Sequence, residues 1–195
     1  MTIDTNNLLD SILESISRID YIKLEDVPNI DLYMDQVTTF MDAQLDASKR
    51  HGDDKILTKT MINNYTKNNL LPPPVKKKYS TQHMLLLIFV YYFKSFLSIN
   101  DIQMLLKPIT DKYFSSNADF NLTNVYEEVF RLEKSQVERI KCDIKDAYAN
   151  AQDTFADSPE EDHEFLRLFS FICILSFDVY VKKQIIEKLI DKLFH

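Results

Sequence analysis

The sequence predicts a mainly α-helical protein carrying one small β hairpin, and three observations lead there. Gly52 is the only glycine in 195 residues. Lys, Leu, Ile, Asp and Glu are plentiful, which suits helices, and apolar residues recur at spacings of three and four through nearly every segment. Sandwiches, dinucleotide-binding sheets and phosphate-cradling loops need glycine at tight turns and close backbone approaches, so this composition argues against them. A chain with 45% hydrophobic and 27% charged residues is long enough to bury a real core.

The elements follow in order. Leu8, Leu9, Ile12, Leu13, Ile16 and Ile19 form one stripe, predicting an amphipathic helix over Asn6 to Asp20 with Asn6 and Asn7 available as caps. Pro28 breaks the chain after it. A second helix is expected from Asp31 to Lys49, with Leu32, Met34, Val37, Phe40, Met41 and Leu45 inward. Arg50 to Lys55 reads as a polar loop around the glycine. Thr58 begins a short helix ending at Asn68 and Asn69, with Met61, Ile62 and Tyr65 inward. Pro72 to Pro74 hold the next stretch extended, so Leu70 to Ser80 is expected to form a small hairpin or wing. Ser80 or Thr81 caps a helix to Phe96. Ser98 caps another that Pro108 is expected to terminate. A long charged helix is predicted over Asn121 to Ala156, with apolar residues near a 3.5-residue period. Ser158 and Pro159 start the last helical segment, which ends with Ile185, Ile186, Leu189, Ile190 and Leu193 on one side.

Charge is distributed unevenly. The chain carries a net charge of -7, yet residues 55–100 hold no Asp or Glu and contain Lys55, Lys59, Lys67, Lys76, Lys77, Lys78 and Lys94. A block free of acids suits a polyanion-binding face, because a carboxylate facing a phosphate cancels a lysine contact. A solvated lysine face whose acids lie elsewhere in the chain would read the same way.

Within that block, LTKTMINNYTKNNLL, PPPVKKKYS, TQHMLLLIFVYYFKSF and LSINDIQMLL follow one another. This succession resembles the winged-helix DNA-binding domain of MerR-type regulators, where a recognition helix, a basic wing, an apolar helix and a short fourth helix appear in that order. Tyr65, Leu70, Leu71, Pro72, Lys76 to Lys78, Tyr79, Ser80 and Ser98 to Ile102 fill the family's places. The strings LYMDQVTTFM, LTKTMINNY and LLPPPVKKKYS also resemble an uncharacterised bacterial family known as a domain of unknown function, number eighteen thirty-six, over most of Leu24 to Leu106. Departures exist. The usual wing glycine is missing, wing arginines are replaced by lysines, which meet phosphate as point charges, and Asn63 and Asn64 stand where an Arg-Tyr pair is usual.

The resemblance implies a winged helix-turn-helix over residues 31–110, preceded by a helix and linker (1–30) and followed by a C-terminal helical layer for dimerisation or sensing (111–195). It further implies a sequence-specific transcription regulator of double-stranded DNA. Segment 58–69 would enter the major groove and the wing at 72–80 would lie on the backbone. The expected DNA-facing residues are Thr58, Lys59, Thr60, Asn63, Asn64, Tyr65, Lys67, Lys76, Lys77, Lys78 and Tyr79. An asparagine can bond adenine at two positions, whereas the lysines meet phosphates. For the asparagines the bland reading is helix capping, for the lysines a solvated turn, and for the tyrosines core packing. A homodimer is expected, through the helix at 121–156 first and through Phe165 to Val181 second, with any small-molecule or protein effector acting on these C-terminal helices. A protein-interaction adaptor on the same scaffold is the alternative.

Catalysis is not expected. Glu160-x-x-His163 is half of a helical di-metal motif with no second copy, His51, His83 and His195 are scattered, and Cys142 and Cys173 lack metal-ligand spacing. No metal or cofactor is expected. The start of the chain lacks the basic and apolar pattern of a signal peptide, and Phe165 to Val181 is shorter than a membrane span and carries Arg167 and Asp178. A cytoplasmic protein that does not bind membranes is the expectation.

Overall fold

The computed structural model describes residues 5–17, 22–115 and 118–194, which divide into two compact units, 1–130 and 131–195. Helix α1 spans Thr5–Ser17, so the asparagine pair lies in its first turn, and Leu13 is buried. Ile19, Asp20 and the side chains of Leu8 and Ile16 lie outside the described residues.

In the first unit the predicted second helix starts late. Leu32–Tyr33 is a strand, β1, and α2 covers only Met34–Gln44. The reason is local. Tyr33 holds an extended conformation as N-cap, and its N–H donates to the Gln36 side chain at 2.9 Å. Helix α3, Lys59–Lys67, is capped by Thr58, whose hydroxyl oxygen accepts from the Met61 N–H at 3.2 Å. It ends in a Schellman turn: Asn69 sits at φ 55°, Leu70 N–H donates to Tyr65 C=O at 2.8 Å, and Asn69 N–H to Thr66 C=O at 3.2 Å. That turn swings Leu70 and Leu71 into the core.

The hairpin is present. Val75 and Lys78 exchange backbone hydrogen bonds at 3.1 and 2.9 Å, and strand β2, Lys78–Tyr79, pairs antiparallel with β1 in the register Leu32 to Tyr79 and Tyr33 to Lys78. Its two turn residues, Lys76 and Lys77, have φ of 50° and 65°. Two-residue hairpin turns with positive φ at both positions favour Asn-Gly, so lysines are strained here. Gly52, by contrast, has no positive φ, and a Cβ there would meet nothing.

Ser80 caps α4, Thr81–Phe93. Ser98 caps α5, Ile99–Tyr113, through reciprocal bonds with Asp101. Helix α5 does not stop at Pro108, as predicted, but runs through it. Pro108 is exposed, so the carbonyl it leaves without a helical donor can bond water. The last described parts are α6, Leu122–Gln152, within which the unit boundary falls, and α7, His163–Phe194. A 3-10 turn, Glu160–Asp162, precedes α7. No helix is long and apolar enough to cross a membrane among the described residues.

The core of the first unit gathers around α4, which packs on β2 and α5, while α2 packs on β1, β2 and α3. Thr81 donates to Pro28 C=O at 2.8 Å and the buried Tyr126 hydroxyl to Ile22 C=O at 2.5 Å, tying residues 22–28 to α4 and α6. Replacing the strained turn by Lys76→Asn with Lys77→Gly is expected to raise stability by about 1 kcal/mol, seen as a higher urea midpoint with an unchanged slope. A lower midpoint would contradict the strain at this turn.

Candidate nucleic-acid interface

The sequence places polar and apolar residues of α3 on opposite sides, and the structure keeps them there. Lys59, Thr60, Asn63, Asn64 and Lys67 are exposed, within an arc of roughly 140° at 3.6 residues per turn. Ile62 and Tyr65 are buried behind them. Thr58 is half-buried, with its oxygen engaged in the cap. Lys76 and Lys77 are exposed at the hairpin tip. Lys78 is half-buried one position further, its Nζ 5.2 Å from the centre of the Tyr33 ring.

The two tyrosines lie inside. Tyr65 is 6% exposed and Tyr79 3% exposed. Burial raises the pKa of each phenol, so both stay neutral at physiological pH. The surface is therefore made by the five α3 residues and the two turn lysines, with Thr58 and Lys78 at its edge.

Position along the chain is a poor guide to which charges face one another. Lys59 forms an ion pair with Asp35 of α2, both side chains being exposed. Such a surface pair contributes about 0–1 kcal/mol, but it sets a carboxylate beside the polar face of α3. Tyr33 escaped the sequence reading because a two-residue strand shows no alternation, and Asp35 because it lies 24 positions from Lys59 in the chain. Lys94, counted in the acid-free block, has an internal task. Its Nζ donates to Ile56 C=O at 2.5 Å and lies 4.8 Å from the Tyr91 ring centre, and burial lowers its pKa.

The hairpin is held from beneath by His83, the one buried polar side chain among the described residues. Its Nδ1 accepts from Ser80 N–H at 3.0 Å, which leaves the neutral ring's proton on Nε2. That nitrogen faces the carbonyls of Pro72 and Pro73 without a hydrogen bond of good geometry. The ring meets Tyr79 edge-on at 5.5 Å and Phe114 at 4.8 Å. The spacing Ser80-x-x-His83 is a capping box with histidine in the place of Glu or Gln.

Elsewhere, His163 Nε2 lies 2.8 Å from Ser158 C=O, so the Glu160-x-x-His163 motif forms the turn that opens α7. Among the described residues no group of three or more His, Cys, Asp or Glu is placed to hold a metal ion. Cys142 and Cys173 are free and exposed.

Burial lowers the pKa of His83 below the ordinary histidine value of 6.5, outweighing the carbonyls and the charge of Asp31, which raise it. Below that value the unfolded chain binds the proton first, so this group's contribution to stability falls as pH falls. His83→Gln retains the capping acceptor and removes the titration. The urea midpoint should therefore drop less for His83→Gln than for the unsubstituted chain between pH 7.5 and 5.5. Equal drops would remove His83 as the cause.

A family model described as "Domain of unknown function (DUF1836)" matches residues 22–129, which is more than half of the chain, and the chain belongs to that family. The match takes in both α3 and the hairpin and ends one residue before the boundary between the two units. No curated protein and no solved structure matches the chain.

Proposed function

We propose that this member of the DUF1836 family is a DNA-binding transcription regulator with a MerR-type winged helix-turn-helix. In this reading α3 enters the major groove. Asn63 and Asn64 read base edges, and Thr58 and Thr60 lie at the helix start, where a phosphate meets free N–H groups. Lys59 and Lys67 reach the backbone on either side. The 72–80 hairpin rests on the neighbouring phosphates through Lys76 and Lys77. Lys78 supports them from its place over Tyr33, and Tyr65 and Tyr79 hold α3 and the hairpin from within the core.

The observation that carries this reading is the turn itself. Lysines occupy the two positive-φ positions of a hairpin that Asn-Gly would close at lower cost. Strain retained at an exposed, doubly cationic tip has a rationale when the charges meet a polyanion. The polar face of α3 supports it independently, since five exposed residues of groove-reading or phosphate-binding type share one side.

A second reading has its own observation. Tyr33, Lys78 and Val75 are paired across the three extended segments, and Tyr33 and Val75 are exposed, with Ile30 exposed close by in sequence. Exposed apolar side chains on this small sheet suit a protein partner better than a phosphate backbone. A protein-interaction adaptor is therefore the rival.

Retention of fragmented genomic DNA by the purified chain separates the two. A few enriched fragments are expected. Replacing Lys76, Lys77 and Lys78 with alanine should weaken all sequences alike and lower the salt slope by roughly 0.9 per lost phosphate contact. Asn63→Ala should instead lose affinity at one base position, by about 1–3 kcal/mol, if it reads an adenine. Asp35→Asn is expected to tighten binding several-fold at low salt and to do less at high salt. No DNA retained, with one protein recovered in stoichiometric amount, would establish the adaptor.

A further inference from the structure

A cleft of about 380 Å³ lies between α5 and the segment that joins α3 to the hairpin. Its origin is local. The Schellman turn after α3 carries Leu71 into the core. The prolines that follow hold the chain extended, with no N–H groups to bond the helix opposite. Helix α5 therefore passes this stretch without closing on it, although Gln103 Nε2 donates across the near end to Asn68 C=O at 3.0 Å.

The two walls differ in chemistry. One is made by Asn69, Leu71, Pro72 and Pro73. The carbonyls of the two prolines face His83, so this wall offers apolar carbon with one amide at its edge. The other is made by Gln103, Lys107, Thr110 and Asp111 of α5, which share an arc of roughly 100° on that helix. Lys107 Nζ and Asp111 form an ion pair at 2.8 Å, with 66% and 61% of their side chains exposed. A pair so exposed adds little to stability, so it opens readily to a ligand.

That pair selects among ligands. A lone anion drawn to Lys107 meets the carboxylate of Asp111 beside it, and a lone cation drawn to Asp111 meets Lys107. The phosphates of a nucleotide would find one cation and one opposing carboxylate. A molecule with one charge of each sign satisfies both groups, and an α-amino acid carries both at neutral pH. We infer that the cleft binds a free α-amino acid with an apolar side chain, its carboxylate on Lys107, its ammonium on Asp111 and its side chain against Leu71, Pro72 and Pro73. The volume falls within the roughly 300–1,000 Å³ of small-ligand sites. Such an occupant holds the end of α3, the first arm of the hairpin and α5 together, so its binding is coupled to that of whatever α3 and the hairpin bind.

Calorimetric titration of the full chain with leucine, isoleucine, valine, methionine and phenylalanine tests this without DNA, and so independently of the DNA-binding reading. Saturable heat from at least one of them is expected, with a Kd on the order of 0.1 mM. The amide of that amino acid lacks the carboxylate, and its deaminated acid lacks the ammonium. Each should bind at least about tenfold more weakly. Lys107→Gln and Asp111→Asn change exposed positions; each should weaken binding by about tenfold or more with the helical circular dichroism unchanged. No saturable heat with any of the amino acids, a derivative that binds as tightly as its parent, or binding indifferent to either substitution would each overturn the assignment.

Discussion

Helix α4 has no side that can face water, and the first unit is arranged by that fact. His83 through Val90 are eight successive buried residues. Each large apolar side chain removed from water contributes about 1.5–3 kcal/mol, so neighbouring elements must close on every side of the helix. Strand β2 covers its start and α5 one flank. Phe89 draws in Tyr126 at 5.6 Å and Phe130 at 5.5 Å from α6. At its far end Lys94 reaches across to Ile56. The exposed face of α3 is a remote consequence: α4 fixes β2, β2 and α2 pack together, and α2 holds α3.

The hairpin shows the same dependence at smaller scale. A two-stranded ribbon is marginal in water, and this one is anchored by one buried tyrosine against one buried histidine. Tyr79 therefore acts beneath the surface that its neighbours form. A side chain can be essential to a binding face by fixing the backbone beneath it, and no sequence pattern distinguishes that role from direct contact.

Much of this was legible in the chain. Apolar periodicity placed the helices, Thr58, Ser80 and Ser98 marked three starts, and three prolines before a basic run marked the hairpin. What stayed hidden has physical causes. Strand β1 is two residues long, too short to alternate. Pro108 is tolerated because its flank of α5 is wet. The ion pair of Lys59 with Asp35 joins residues 24 positions apart, which local composition does not register. In the last helix a run of Ile and Leu predicts one packed side, yet Ile190 is buried while Ile185, Leu189 and Leu193 are bare. Periodicity gives the faces of a helix; what lies opposite each face is decided by the rest of the structure.

The proposed binding of DNA has to be squared with a net charge of -7, and range does so. At physiological salt exposed charges more than about 8 Å apart are largely screened, so carboxylates remote from α3 and the hairpin neither help nor hinder a phosphate docked there. Attraction then rests on short-range contacts, and the affinity so produced is steeply dependent on salt. Asp35 falls under the opposite rule. It lies within ion-pairing reach of Lys59, inside the screening length, where it opposes any phosphate that the lysine attracts. Under the proposed function such a carboxylate favours specificity, because weak backbone attraction would leave discrimination to the base edges assigned there to Asn63 and Asn64.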